Sequence, residues 1–274
     1  AAAGGAGVVL GVAAPAPIKY HYRWPGKFKP GAHQIVMAEF LTLHRRGFNL
    51  SEMGTEKTAA ALWAADWLME NKHIRKVLII TPLSPVERVW LSEIFAVLMH
   101  RRAGIVHGSR EYRLDMLNMD LDFYILNYEG PVIPAVRKAL IARGDIDLII
   151  VDEASNYRNS GNMQYSSFVK LLQPHQRLWM MTGTPTPNSP TDAWALARLV
   201  SPERVPKYFG QFRQQALEAF FKIAAILGTG HNQAEIERKD SLVGQEGRHR
   251  AHRRGAPGAV RRPRRAPPER AHPR

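Results

Sequence analysis

Residues 147–155 read DLIIVDEAS, an apolar run that ends in a pair of acids. Leu148, Ile149, Ile150 and Val151 leave no polar alternate position, as a strand buried on both faces of a parallel sheet requires. Ligands in open α/β sheets sit outside the carboxyl ends of the strands. Asp152 and Glu153 therefore stand where an acid pair can hold a magnesium ion and orient a water. An acidic pair after a strand also serves as a plain helix cap, so this pair gains meaning only from what surrounds it.

Outward from this run, the spacing predicts further strands at Phe48–Leu50, Val77–Thr81, Gly104–His107, Phe123–Asn127 and Leu178–Thr182. Helices are predicted between them, over Thr58–Met69, Pro85–Met99 and Pro134–Arg143. Two of these open on proline, which costs little in a first turn because that N–H has no partner within the helix. Alternating strands and helices make the fold class α/β, a three-layer sandwich around a mainly parallel sheet with right-handed crossovers.

Of the 274 residues, 45% are hydrophobic, enough for one or two domains with a real core. With no cysteine, the chain has neither a disulfide framework nor a thiolate metal site. The 11 histidines are scattered without ligand spacing. No apolar run approaches the ~20 residues of a membrane span, so no membrane partner is expected. The net charge is +14, but ten arginines and one acid between Arg248 and Arg274 carry +9 of it, leaving +5 on the rest. Four segments result. Residues 1–27 read as a flexible leader, residues 28–213 as the α/β lobe, 214–240 as a helical extension, and 241–274 as a disordered Arg/Pro-rich tail.

Three sites could carry chemistry. Ser51-Glu52-Met53-Gly54-Thr55-Glu56-Lys57-Thr58 follows a short strand and opens a helix, the setting of a phosphate loop. There, backbone N–H groups and a helix N-terminus face phosphate, the lysine reaches the β and γ phosphates and the threonine hydroxyl holds magnesium. The pattern G-x-x-x-x-G-K-[ST] is broken, with Ser51 at the first glycine and Glu56 at the second. Glu56 adds a carboxylate beside phosphate charge and a Cβ where only glycine leaves room. The acid pair is the second site. Met180-Met181-Thr182-Gly183-Thr184-Pro185 is the third: two hydroxyls at a strand tip that either sense a γ-phosphate or form an ordinary turn.

The ordered set SEMGTEKT, IITPLSPVERVW, IIVDEAS and MTGTPTPN resembles the first motor lobe of superfamily 2 helicases, most closely the Snf-type, DEAD/DEAH-like helicases of phages and prophages. The resemblance covers residues 28–213 and implies a RecA-like P-loop NTPase lobe that uses ATP and Mg2+ and acts on DNA, with RNA not separated, in the cytoplasm of a bacterial or phage-infected cell. It implies that Gln34 reads adenine; that Gly54, Thr55, Lys57, Thr58 and Asp152 bind the cofactor; that Thr58 and Asp152 hold magnesium; and that Lys57 and Glu153 are catalytic. Thr182 and Thr184 would couple the ATP site to nucleic-acid movement. Thr81, Pro82 and Arg158 would contact nucleic acid. Ser155 departs from the histidine of DEAH members. No second motor lobe, with its arginine finger, is visible in the sequence, so full activity would need one from elsewhere or from a partner chain. Hydrolysis by this chain alone is expected to be weak or absent. The alternative is a non-enzymatic nucleic-acid-binding remnant with a degenerate nucleotide site. The tail reads either as a phosphate-binding arm or as GC-rich coding translated out of frame.

Overall fold

A computed structural model describes residues 17–51, 56–83, 85–183 and 193–226. In chain order the elements are α1 (Ile18–His21), α2 (Ala32–Leu43), β1 (Arg46–Asn49), α3 (Lys57–Glu70), β2 (Lys76–Thr81), α4 (Pro85–Val97), β3 (Ala103–Val106), α5 (Arg110–Asn118), β4 (Phe123–Asn127), α6 (Pro134–Ala142), β5 (Ile146–Asp152), α7 (Met163–Leu171), β6 (Arg177–Met181), α8 (Ala193–Val200) and α9 (Phe209–Ile226).

The strands form one parallel sheet in the order β1-β6-β5-β2-β4-β3. Successive strand residues point to opposite faces, and both faces are apolar. Val77, Ile79, Phe123, Ile125, Leu148, Ile150, Trp179 and Met181 pack with residues of α1 to α4. Leu78, Ile80, Tyr124, Leu126, Ile149, Val151, Leu178 and Met180 pack with residues of α5 to α8. The doubly buried run at 148–151 therefore does decide the fold: it stands inside a three-layer sandwich.

Every residue of α3 from Ala59 to Met69 is buried, the mark of a helix enclosed on all sides rather than amphipathic. Its alanines permit close approach to α2 and α4, while Trp63 and Trp67 fill the wider gaps. One buried position is charged. Asp66 accepts hydrogen bonds from the Tyr22 hydroxyl at 2.5 Å, Arg101 Nε at 2.5 Å and the His100 ring at 3.0 Å.

Tyr22 corrects one boundary. Residues 17–27, expected within a flexible leader, are part of the fold. Ile18 is fully buried, Trp24 meets Tyr22 and Trp63 edge to face, and Trp63 Nε1 donates to the Pro25 carbonyl at 2.9 Å. Residues 1–16 lie outside the described residues. A second boundary also moves. The extension expected from 214 belongs to a continuous helix, α9, that begins at Phe209; the remainder of the extension and the tail lie outside the described residues. All six strands occur where the sequence predicts them, to within two residues. The largest shifts are at the starts of β1 and β5, each two residues early, because Arg46 and Asp147 are polar and hide the strand ends.

Candidate nucleotide site at the carboxyl edge of the sheet

Strand order explains why distant motifs meet. β6 pairs with β1 on one side and with β5 on the other, so that Met181 lies opposite both Asn49 and Asp152. The strand that leads to Thr182 is thereby inserted between the one that feeds Lys57 and the one that ends in the acids. All three finish on the same carboxyl edge, and β2 on the far side of β5 brings Thr81 to it.

At the N-terminus of α3, the cap residue Glu56 makes no side-chain capping bond, and the first turn holds no acid. The helix thus presents backbone N–H groups without a side-chain acceptor from its cap, which suits an anion. Lys57 Nζ donates to the Ser51 carbonyl at 2.6 Å, so the lysine folds back along its own loop. Glu56 has φ 49° and ψ 44°, a left-handed conformation that glycine adopts freely and other L-residues do not. Its carboxylate accepts from Gln34 Nε2 at 3.2 Å, while Gln34 Oε1 accepts from the Gly31 amide at 2.8 Å. Both ends of the Gln34 amide are thus engaged within the protein.

Asp152 is held from three directions. Oδ2 accepts from Trp90 Nε1 at 2.8 Å and lies 3.5 Å from the Thr81 hydroxyl, and Oδ1 accepts from the Glu153 amide at 3.0 Å. Burial pushes its carboxyl above the usual aspartate range; the Trp90 and Glu153 N–H groups and the positive charge of Lys57 oppose that shift. Glu153 Oε1 accepts from Ser155 Oγ at 2.6 Å and Thr182 Oγ1 at 2.9 Å. Two hydroxyls thus aim one carboxylate. Across the edge, burial and then the charge of Glu56 push Glu93 up.

Gln34, Lys57, Thr58, Asp152, Glu153 and Thr182 come to this one edge. Of the residues expected to contact nucleic acid, Thr81 is fully buried with its hydroxyl toward Asp152, Pro82 is half-buried and Arg158 exposed. Gly54, Thr55 and Thr184 lie outside the described residues. Sequence reasoning missed Trp90 and Tyr128, which brace the acids from α4 and from the end of β4. A tryptophan within an amphipathic helix and a tyrosine after a strand look like ordinary core residues, so no local signal marks them. The donor set fits Mg-ATP: carboxylate and hydroxyl oxygens are hard ligands of the kind magnesium takes, with a lysine and an uncapped helix N-terminus beside them.

Parallel strand order, a lysine at the first turn of a helix and an acid pair one strand removed define a RecA-like α/β lobe. The SNF2-related domain matches residues 33–240, and the chain belongs to that family. It is 29% identical over 191 residues to the ISWI chromatin-remodeling complex ATPase ISW1 of Saccharomyces cerevisiae, covering 65% of this chain and 16% of that protein. It is 25% identical to putative protein p41 of Acyrthosiphon pisum secondary endosymbiont phage 1, covering 68% of this chain and 42% of that protein. The solved Sulfolobus solfataricus SWI2/SNF2 ATPase core in complex with dsDNA shares the fold at a TM-score of 0.59 and 20% identity, over 79% of this chain and 43% of that one. The chain thus spans less than half the length of these relatives. No helix among the described residues is long and apolar enough to cross a membrane.

Proposed function

We propose that this chain is the ATP-binding lobe of a translocase that moves on DNA, and that its nucleotide site is weakened by Glu56. The observation that carries the reading is the convergence of Lys57, Asp152, Glu153 and Thr182 on one sheet edge, set by the pairing of β6 between β1 and β5. In this reading Lys57 and the first turn of α3 hold polyphosphate, Thr58 and Asp152 hold magnesium, and Glu153 accepts a proton from water. Gly54 and Thr55 belong to the phosphate loop, and Thr184 joins Thr182 in passing the state of the site onward. DNA is favoured over RNA because the solved relative carries dsDNA and the relatives in sequence include chromatin-remodeling ATPases. Nucleic acid contacts are assigned to Pro82 and Arg158 at the carboxyl edge. Charge stabilisation from a second lobe or a partner chain is required for turnover, since an arginine finger contributes ~10³ or more in related hydrolases.

A second reading, a nucleic-acid-binding domain that has lost nucleotide, is favoured by the carboxylate of Glu56 lying against Gln34. Lys57→Ala separates the two. In the first reading, ATP with magnesium raises the melting temperature of the natural chain and the change abolishes that rise. In the second, ATP shifts neither protein.

A further inference from the structure

Tyr128 follows β4 and is buried. Its hydroxyl reaches the backbone carbonyl of Asp152 at 2.5 Å and that of Glu153 at 3.0 Å, so one O–H is shared between the two peptide units of the acid pair. Burial pushes this phenol well above its usual range, and the neighbouring Tyr157, Asp152 and Glu153 add to the shift. It remains a neutral donor. The peptide it grips is unusual, because Glu153 has φ 51° and ψ 53°. A glutamate in the left-handed region is strained and persists only where its surroundings over-determine it. The same carbonyl of Glu153 accepts from the Asn156 amide at 3.1 Å, closing the turn that follows. The tyrosine ring is itself held, edge to face on Tyr157 at 4.8 Å, which stacks on Phe168 of α7 at 4.5 Å.

We propose that Tyr128 is a positioning residue of the nucleotide site: its hydroxyl locks the strained backbone of Asp152–Glu153 and so sets where the two carboxylates point. Without that grip, the turn relaxes toward ordinary φ and the Glu153 side chain leaves the hydroxyls of Thr182 and Ser155. The inference rests on the ATP-binding reading of the same edge.

The test is Tyr128→Phe, which removes one oxygen and keeps the ring. In the protein without nucleotide, the Asn156 amide exchanges faster with solvent, since its acceptor turn is freed. In calorimetry with ATP, the gain in affinity on adding magnesium falls about tenfold, the usual effect of losing a partner that orients metal ligands, while affinity in EDTA is unchanged. Tyr157→Phe, which deletes a buried hydroxyl that has no partner in the same aromatic stack, leaves both readouts alone and so controls for packing. In an Asp152→Asn background, Tyr128→Phe costs no further magnesium-dependent affinity. The proposal is overturned if Tyr128→Phe retains the full magnesium gain and the exchange rate of Asn156. Absence of magnesium-dependent binding in the natural chain would instead remove the ATP-binding reading and this inference together.

Discussion

At the scale of single residues, the site is defined by two glutamates in a conformation that glutamate disfavours. Glu56 and Glu153 both have positive φ, and each is held by hydrogen bonds from neighbouring side chains. Glu153 is gripped through its carbonyl by Tyr128 and through its carboxylate by Ser155 and Thr182. Glu56 is exposed, with Gln34 Nε2 reaching its carboxylate at 3.2 Å and its carbonyl at 3.4 Å. The left-handed backbone favours glycine there, beyond the argument from charge. Glu56→Gly therefore acts twice. It removes about 1–2 kcal/mol of backbone strain, partly offset by the greater entropy glycine loses on folding, so the melting temperature stays level or rises slightly. It also removes a carboxylate near the phosphates, a repulsion of about 1 kcal/mol in water and more at lower effective dielectric, so ATP binds roughly fivefold tighter or better. Calorimetry of both proteins checks this; tight binding before the change and no gain after it would sink the idea.

At the scale of elements, what the sequence made legible was the periodicity of the buried parts. β2, β4, β5 and β6 were readable because each is apolar over four consecutive residues, whereas β1, which reads RGFN, shows its strand only through Phe48. α2 was not readable, because its inward residues, Met37, Ala38 and Leu41, sit beside exposed Val36, Phe40 and Leu43, and the mixture shows no face. The leader boundary failed for a related reason. Gly/Ala/Pro composition at the start suggests a loose arm, and nothing local announces that Tyr22 will cap a buried charge on α3. Asp66 needs its donors, since a buried carboxylate that loses a partner is left with a desolvation cost that nothing offsets. Arg101→Ala should therefore destabilise the domain by about 3 kcal/mol, and Tyr22→Phe by about 1.5 kcal/mol, the scale of a hydrogen bond to a charged group. Urea unfolding monitored by tryptophan fluorescence reads both. A Tyr22→Phe protein as stable as the natural one would return residues 17–27 to the status of a leader.

At the scale of the whole molecule, charge and fold give different information. The fold gathers the residues assigned to nucleotide at one sheet edge, whereas most of the +14 charge belongs to residues 248–274, and the remaining 247 residues carry +5. Whichever origin the tail has, its arginines are cations at neutral pH, and an arginine-rich segment attracts phosphate backbones without regard to sequence. Affinity for duplex DNA in this chain is therefore expected to be dominated by residues other than those assigned to ATP binding. A chain ending at residue 240 should bind duplex DNA more weakly. The slope of log affinity against log salt should also flatten, by about 0.9 for each phosphate the tail had neutralised. ATP-dependent stabilisation should be untouched, because Lys57, Asp152 and Glu153 all remain. Fluorescence anisotropy with a labelled duplex across a salt series measures the first two quantities, and a thermal melt with magnesium and ATP measures the third. Unchanged DNA affinity and an unchanged slope would move the principal DNA contact onto the lobe itself, toward the exposed Arg158 and the carboxyl edge.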